Sequence, residues 1–323
     1  MDINSKIYVA GHAGLVGSAI MRSLAQKGFH KVITRTHAAL DLTCQEAVDN
    51  FFAGAMPDYV FLAAAKVGGI WANNTFPADF ILQNLQIQTN VMQAAKKNGV
   101  KRLLFLGSSC IYPRDCPQPI KEHYLLTGGF ESTNRPYALA KIAGIELCWA
   151  MNRQFNTQFF AVMPTNLYGC GDNYDLNTSH VIPALIRKMH EAKESQAAQV
   201  VVWGTGTPLR EFLYSDDLAD ACLHLMLLEE ARFKKLLNNH QEAPIVNVGC
   251  GVDQSIDALA RLIAAIVGYE GELIFDVNKP DGTPRKVLDI EKIKQMGWQA
   301  KMSLEEGLAR AYAEYQRTVL IEA

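Results

Sequence analysis

Short apolar runs alternate with longer amphipathic stretches through the first half of the chain. Residues 7–10, 32–34, 59–63, 103–106 and 159–163 are predicted strands. They are almost wholly apolar and bounded by turn residues, as strands covered on both faces are. Residues 15–27, 45–53, 80–98 and 137–152 carry their apolar positions at helical spacing. Strand followed by helix, repeated, predicts an α/β fold built on a doubly wound parallel sheet.

The second half is less regular. Residues 181–192, 217–229, 255–267 and 304–315 read as helices, and 200–203 and 245–248 as strands. Glycine and proline punctuate the rest. The expected organisation is a nucleotide-binding domain over 1–165 and a smaller α/β substrate-binding lobe over 166–323. Segments near 213–250 are expected to return to the first domain. A length of 323 residues fits two lobes.

Composition narrows the function classes. The chain has 31 basic and 33 acidic residues and a net charge of −2. No basic patch or tail is visible, which argues against nucleic acid as a partner. No apolar stretch approaches the ~20 residues that cross a bilayer. The first predicted strand follows Met1–Lys6 directly, so no secretory leader is expected. Seven cysteines, with no CxxC pair, suit neither a disulfide framework nor a zinc site. A cytoplasmic protein without a metal is the expectation.

The first strand runs into Gly11, Gly14 and Gly17 and then a helix. Glycines there let the backbone approach a pyrophosphate, and the helix N-terminus favours its charge. An NAD site usually has an acidic residue at the end of the second strand. Here the sequence is Ile33-Thr34-Arg35-Thr36-His37. Arg35 can pair with a 2′-phosphate, so NADP(H) is the expected cofactor. Asp41 and Leu42 lie just beyond, where such folds contact adenine, although Asp41 also suits a helix cap.

The strand at 103–106 is followed by Gly107-Ser108-Ser109-Cys110. A serine at a strand's carboxyl end can donate to a substrate oxygen. Tyr137 and Lys141 lie four apart on a predicted helix and share a face. An ammonium beside a phenol favours the phenolate and makes a proton donor and acceptor usable near neutrality. Cys110 lies two beyond Ser108, so in an extended segment both face one side.

The ordered set of N-terminal GxxGxxG, Ser108 and Tyr137-x-x-x-Lys141 resembles the extended short-chain dehydrogenase/reductase family, whose fold is of the Rossmann type. The resemblance covers nearly the whole chain. It sharpens over Ala63–Asn74, Gly107–Pro113, Met163–Gly169, Ser179–Ala184 and Lys279–Lys286. These stretches look like the branch that epimerises GDP-4-keto-6-deoxy-D-mannose at C3 and C5 and reduces C4 with NADPH, giving GDP-L-fucose.

The resemblance implies roles. Ser108, Tyr137 and Lys141 would form the reductase triad, with Lys141 also on the nicotinamide ribose. Cys110 would be the carbon base and His180 the acid. Gly11, Gly14, Leu15, Val16, Gly17, Arg35, Asp41, Leu42, Ala63, Ala64, Pro164, Asn166, Leu167 and His180 would line the cofactor. Lys188, Trp203, Arg210 and Asp281 would hold the GDP moiety. Cys110-Ile111 stands where related dehydratases tend to have Asp-Glu, so elimination of water is disfavoured. His37 stands where the family often has a second arginine, which implies a looser preference for NADPH. The family also implies a homodimer through the helices at 80–98 and 137–152. A related keto-sugar enzyme or a silent NADP-binding sensor are the alternatives.

Overall fold

The computed structural model describes residues 1–237, 242–279 and 281–322. In chain order the first half contains β1 (Ile7–Ala10), α1 (Leu15–Gln26), β2 (Val32–Ile33), α2 (Gln45–Ala55), β3 (Tyr59–Leu62), α3 (Ile70–Thr75) and α4 (Pro77–Lys97). It continues with β4 (Arg102–Leu106), α5 (Arg135–Phe155), β5 (Phe159–Pro164) and β6 (Asn166–Tyr168). There follow α6 (Val181–Glu194), β7 (Gln199–Trp203), β8 (Leu209–Tyr214), α7 (Ser215–Leu227) and α8 (Glu230–Leu237). The chain ends with β9 (Ile245–Val248), β10 (Asp253–Ser255), α9 (Ile256–Val267), β11 (Glu272–Asp276), β12 (Arg285–Lys286), α10 (Glu291–Gln295) and α11 (Leu304–Glu322).

The main sheet has six strands in the order β2-β1-β3-β4-β5-β9, all parallel. β1, β3, β4, β5 and β9 are buried at every position. Helices on both faces explain the continuous apolar runs. β9 comes from late in the chain and pairs with β5 in register Ala161↔Ile245. α7 also packs back on α1, and Arg22 of α1 pairs with Asp216 of α7.

A second core lies around α6, α9 and α11. Ile186, Met189, Val202, Phe212, Tyr214, Leu259, Ile263 and Tyr312 meet there. Two small sheets support it. β8 is flanked by β10 and β12 and also pairs with β6, while β7 pairs with β11. Local chemistry sets the ends: the Ser255 hydroxyl accepts the Ala258 N–H at the start of α9, and Gly268 ends that helix at φ +74°. The strands β6, β8, β10, β11 and β12 are additions to the sequence-based reading.

Candidate active site

The glycine turn after β1 is tight. Gly11 has φ +82°, and a Cβ there would lie 2.7 Å from the Ala64 nitrogen. A Cβ on Gly17 would run into the Gly11 carbonyl. α1 therefore starts hard against β1 and β3. Its N-cap, Gly14, has no side chain to satisfy the first-turn amides of Leu15, Val16 and Gly17. Those amides and the helix dipole form a cradle that fits a dinucleotide pyrophosphate. Ala63 and Ala64 form the facing wall at the end of β3.

Arg35 extends from the end of β2 into solvent. It donates to its neighbour's carbonyl at Thr34 (2.7 Å), and its guanidinium lies 5.2 Å from the Phe51 ring centre. Asp41 accepts the Thr43 amide and hydroxyl at 2.9 and 2.8 Å. These bonds hold its carboxyl below the usual range. Asp41 thus organises the turn before α2. Leu42 is buried, and its carbonyl accepts from Asn90 at 3.0 Å.

β4 delivers Ser108 to the same end of the sheet. The extended geometry expected for Cys110 is not what the chain adopts. Ser109–Ile111 forms a 3-10 turn, because the Ser108 hydroxyl accepts the Cys110 N–H at 3.2 Å. Tyr137 enters from the first turn of α5. Its phenol lies close enough to the side chains of Ser108 and Cys110 for both to act on its ionisation. The Phe80 ring packs edge-on against Tyr137 at 6.3 Å. Ser108, Cys110 and Tyr137 are therefore neighbours.

Lys141 lies one turn along α5 and is 2% exposed. Its ammonium donates to Leu106 O at 2.7 Å and sits 5.8 Å from the Tyr137 ring centre. Burial lowers its pKa to about 7. The expected lowering of Tyr137 by this cation is not found. Burial pushes the phenol up, the nearby Cys110 adds to that rise, and Ser108 only partly opposes it. The physical reason is that Lys141 points at a backbone carbonyl and lies over the ring.

His180 is the N-cap residue of α6. Its surface is open to solvent, yet protein atoms crowd it in a concave setting, and this desolvation holds the imidazole below its ordinary range. It makes no hydrogen bond to Cys110. The loop before it is tied to the segment after β3 by the Gly69 N–H, which donates to Thr178 O at 3.3 Å. Pro164 closes β5, and Asn166 and Leu167 open β6. Asn166 donates to Glu211 O at 2.8 Å.

In the second lobe Trp203 is 57% exposed at the end of β7, so it is not a core residue. The Lys188 and Lys279 ammonium groups lie 5.5 and 5.1 Å from its ring centre. Burial lowers the Lys188 pKa. Arg210 donates to Asp281 O at 3.2 Å, and burial lowers its pKa despite the Asp281 charge. Asp281 is engaged within the protein. One carboxylate oxygen accepts the Thr205 N–H at 2.7 Å and the other the Thr205 hydroxyl at 2.8 Å. It shapes the Gly204 turn beside Trp203 and Arg210.

Two residues beside Cys110 escaped sequence reasoning. Lys286 donates to the Cys110 sulfur at 3.7 Å. Asn134 has a buried side-chain oxygen without a partner. Both line a cavity of about 40 Å³ that also contains Cys110. Only pairing of β12 with β8 brings Lys286 there, which no local pattern signals. Among the described residues, no cluster of His, Cys, Asp and Glu could hold a metal ion, and no helix is long and apolar enough to cross a membrane.

Residues 7–249 match the model of the NAD dependent epimerase/dehydratase family. The chain belongs to that family. Membership of that family implies a nicotinamide cofactor. Within the family, the chain is 56% identical over 320 residues to a probable GDP-L-fucose synthase 1 of Oryza sativa subsp. japonica, covering 99% of this chain and 94% of the relative. It is 54% identical to the GDP-L-fucose synthase of Escherichia coli (strain K12), covering 95% of each. A solved GDP-mannoheptose C4 reductase from Campylobacter jejuni with NADP bound aligns at TM-score 0.89 and 39% identity, covering 98% of this chain and 99% of that one.

Proposed function

We propose that this chain is a GDP-L-fucose synthase that uses NADPH. It inverts C3 and C5 of GDP-4-keto-6-deoxy-D-mannose and then reduces C4. The carrying observation is the cluster of Ser108, Cys110 and Tyr137 at one strand end, with His180 apart from it, in a chain 54% identical to the enzyme of Escherichia coli. The first lobe, 1–165 with 213–250, is taken to hold the cofactor and the remainder the nucleotide sugar.

The residues support each part of that chemistry. A ketone at C4 acidifies the hydrogens at C3 and C5. Cys110 removes one of them, and the electron pair moves onto the C4 oxygen. Ser108 and Tyr137 hydrogen-bond that oxygen, as an oxyanion hole does. His180 returns a proton on the opposite face. NADPH, when bound, supplies hydride to C4. Tyr137 then gives its proton to the C4 oxygen. The raised phenol pKa keeps that proton in place until then.

Arg35 is the residue proposed to select NADPH, through the 2′-phosphate. That the Campylobacter jejuni reductase was solved with NADP favours the same cofactor here. Trp203 offers an aromatic face for guanine, and Lys188 and Arg210 offer cations for the diphosphate. α4 and α5 pack on each other and leave Leu82 and Leu139 exposed, which supports a homodimer through this pair.

The test mixes the protein with GDP-4-keto-6-deoxy-D-mannose and NADPH or NADH, follows reduced-cofactor loss and identifies the sugar by NMR. GDP-L-fucose formed faster with NADPH is the expected result. A reduced sugar without inversion at C3 and C5 would remove Cys110 and His180 from the assignment. No turnover with NADPH still bound would point to another keto-sugar.

A further inference from the structure

We propose that Lys286 is a positioning residue that holds the Cys110 sulfur as a thiolate, and so prepares it to take protons from carbon. The inference rests on Cys110 being the carbon base of the proposed reaction.

A free thiol is largely protonated at neutral pH, and only the thiolate is a useful base. Something in the site must favour the anion. The cation in contact with the Cys110 sulfur is Lys286, at 3.7 Å. The cavity around Cys110 holds two other cations, and both are already paired. Arg114 lies 3.5 Å from Glu131, and Arg285 lies 2.6 Å from Asp253. Among the described residues Lys286 forms no ion pair with a carboxylate. Its charge is available to the sulfur.

The strand that carries Lys286 is held on several sides. β12 pairs with β8, with Lys286 opposite Arg210. Side chains alternate along a strand, so Arg285 turned to Asp253 leaves Lys286 on the other face. The next two amides are fixed by side chains: Val287 donates to Gln118 at 3.0 Å and Leu288 to the buried Glu211 at 2.9 Å. A lysine stem is flexible; here its backbone origin is not.

The other titratable groups near the sulfur do not replace this cation. Tyr137 is a neutral phenol whose ionisation the Cys110 charge opposes. Tyr112 is buried and pushed well up. Cys116 is raised by burial, and Lys286 acts on it in the lowering direction. A thiolate at Cys110 thus also keeps the Tyr137 proton in place for the later reduction.

The step balances. The substrate C–H bond breaks, an S–H bond forms on Cys110, and the electron pair enters the enolate at C3–C4 or C4–C5. His180, protonated for this step, gives its proton to the opposite face. The thiol then loses its proton to water and His180 regains one, which resets the pair for the second carbon.

The experiment compares wild type, Lys286→Met, Lys286→Gln, Lys286→Arg and Cys110→Ser, each with NADP present. The pH dependence of iodoacetamide alkylation is read at the Cys110 peptide by mass spectrometry. Deuterium uptake at C3 and C5 of GDP-4-keto-6-deoxy-D-mannose is read in D2O without reduced cofactor. In Lys286→Met and Lys286→Gln the alkylation profile is expected to move about one unit alkaline, with about tenfold less thiolate at neutral pH. Deuterium uptake falls in parallel and recovers as pH rises, while KM changes less than about twofold. Lys286→Arg keeps the wild-type profile. An unchanged profile in both neutral variants, or a loss confined to KM, overturns the role of Lys286. Undiminished deuterium uptake in Cys110→Ser instead overturns Cys110 as the base.

Discussion

The Lys141 ammonium donates to the Leu106 carbonyl at 2.7 Å, which ties α5 to the last residue of β4. Two residues later comes Ser108, and one turn earlier on α5 is Tyr137. A single buried lysine therefore ties together the two elements that carry Ser108 and Tyr137.

That burial has a pH signature. Burial lowers the Lys141 pKa in the folded protein to about 7, from an ordinary lysine value of 10.5. Between these values the unfolded chain binds more protons, so stability rises with pH across that window. Below it the burial penalty is fully present. Denaturant unfolding of wild type and Lys141→Met without nucleotide should show a difference that changes by a few kcal/mol between pH 7 and 10.5. A pH-independent difference would show that Lys141 is not desolvated.

Tyr137→Phe keeps the ring that packs on Phe80 and removes the proton donor. NADPH oxidation with the keto-sugar should fall by about 10²–10⁴-fold. Thermal stability should stay close to wild type. Deuterium uptake at C3 and C5 should survive in part, because Ser108 still reaches the C4 oxygen.

The two inner glycines of the nucleotide turn should behave differently. A Cβ on Gly14 meets only the Gly11 carbonyl oxygen, at 3.6 Å, an ordinary contact. Gly14→Ala should fold normally and weaken nucleotide binding. Gly17→Ala forces backbone against backbone. It should lower the melting temperature as well as abolish nucleotide binding, which calorimetry with and without NADPH separates.

Arg35→Ala removes the cation at the end of β2. KM for NADPH should rise about tenfold and KM for NADH should barely move. An equal rise for both cofactors would place Arg35 outside the 2′-phosphate site.

The sequence pattern located the strands of the main sheet because each is mostly apolar, and β1, β3, β4, β5 and β9 are buried throughout. It missed β8, β10 and β12, where charged residues such as Glu211, Asp253, Arg285 and Lys286 interrupt the apolar signal. Glu211 is wholly buried and accepts the backbone amides of Gly251 and Leu288, a role that only the folded lobe creates. The proposed triad could be picked out because its members sit at fixed local positions. The orientation of Cys110 was not, since one side-chain bond from Cys110 N–H to Ser108 turns an extended segment into a 3-10 turn. The bonds from Thr205 to the Asp281 carboxylate were not legible either, because the two residues are far apart in the chain.

The position of β9 at the edge of the main sheet governs how the molecule can be made. β5 has one neighbour in β4 and another in β9, and the second is synthesised about 80 residues after β5 ends. Until residue 248 has left the ribosome, β5 carries an open edge of unpaired amides and carbonyls, a template for association with other chains. The same exposure would follow in a fragment cut at residue 165. Residues 1–165 are thus not separable from the later chain during biosynthesis, and protection of nascent β5 should affect yield.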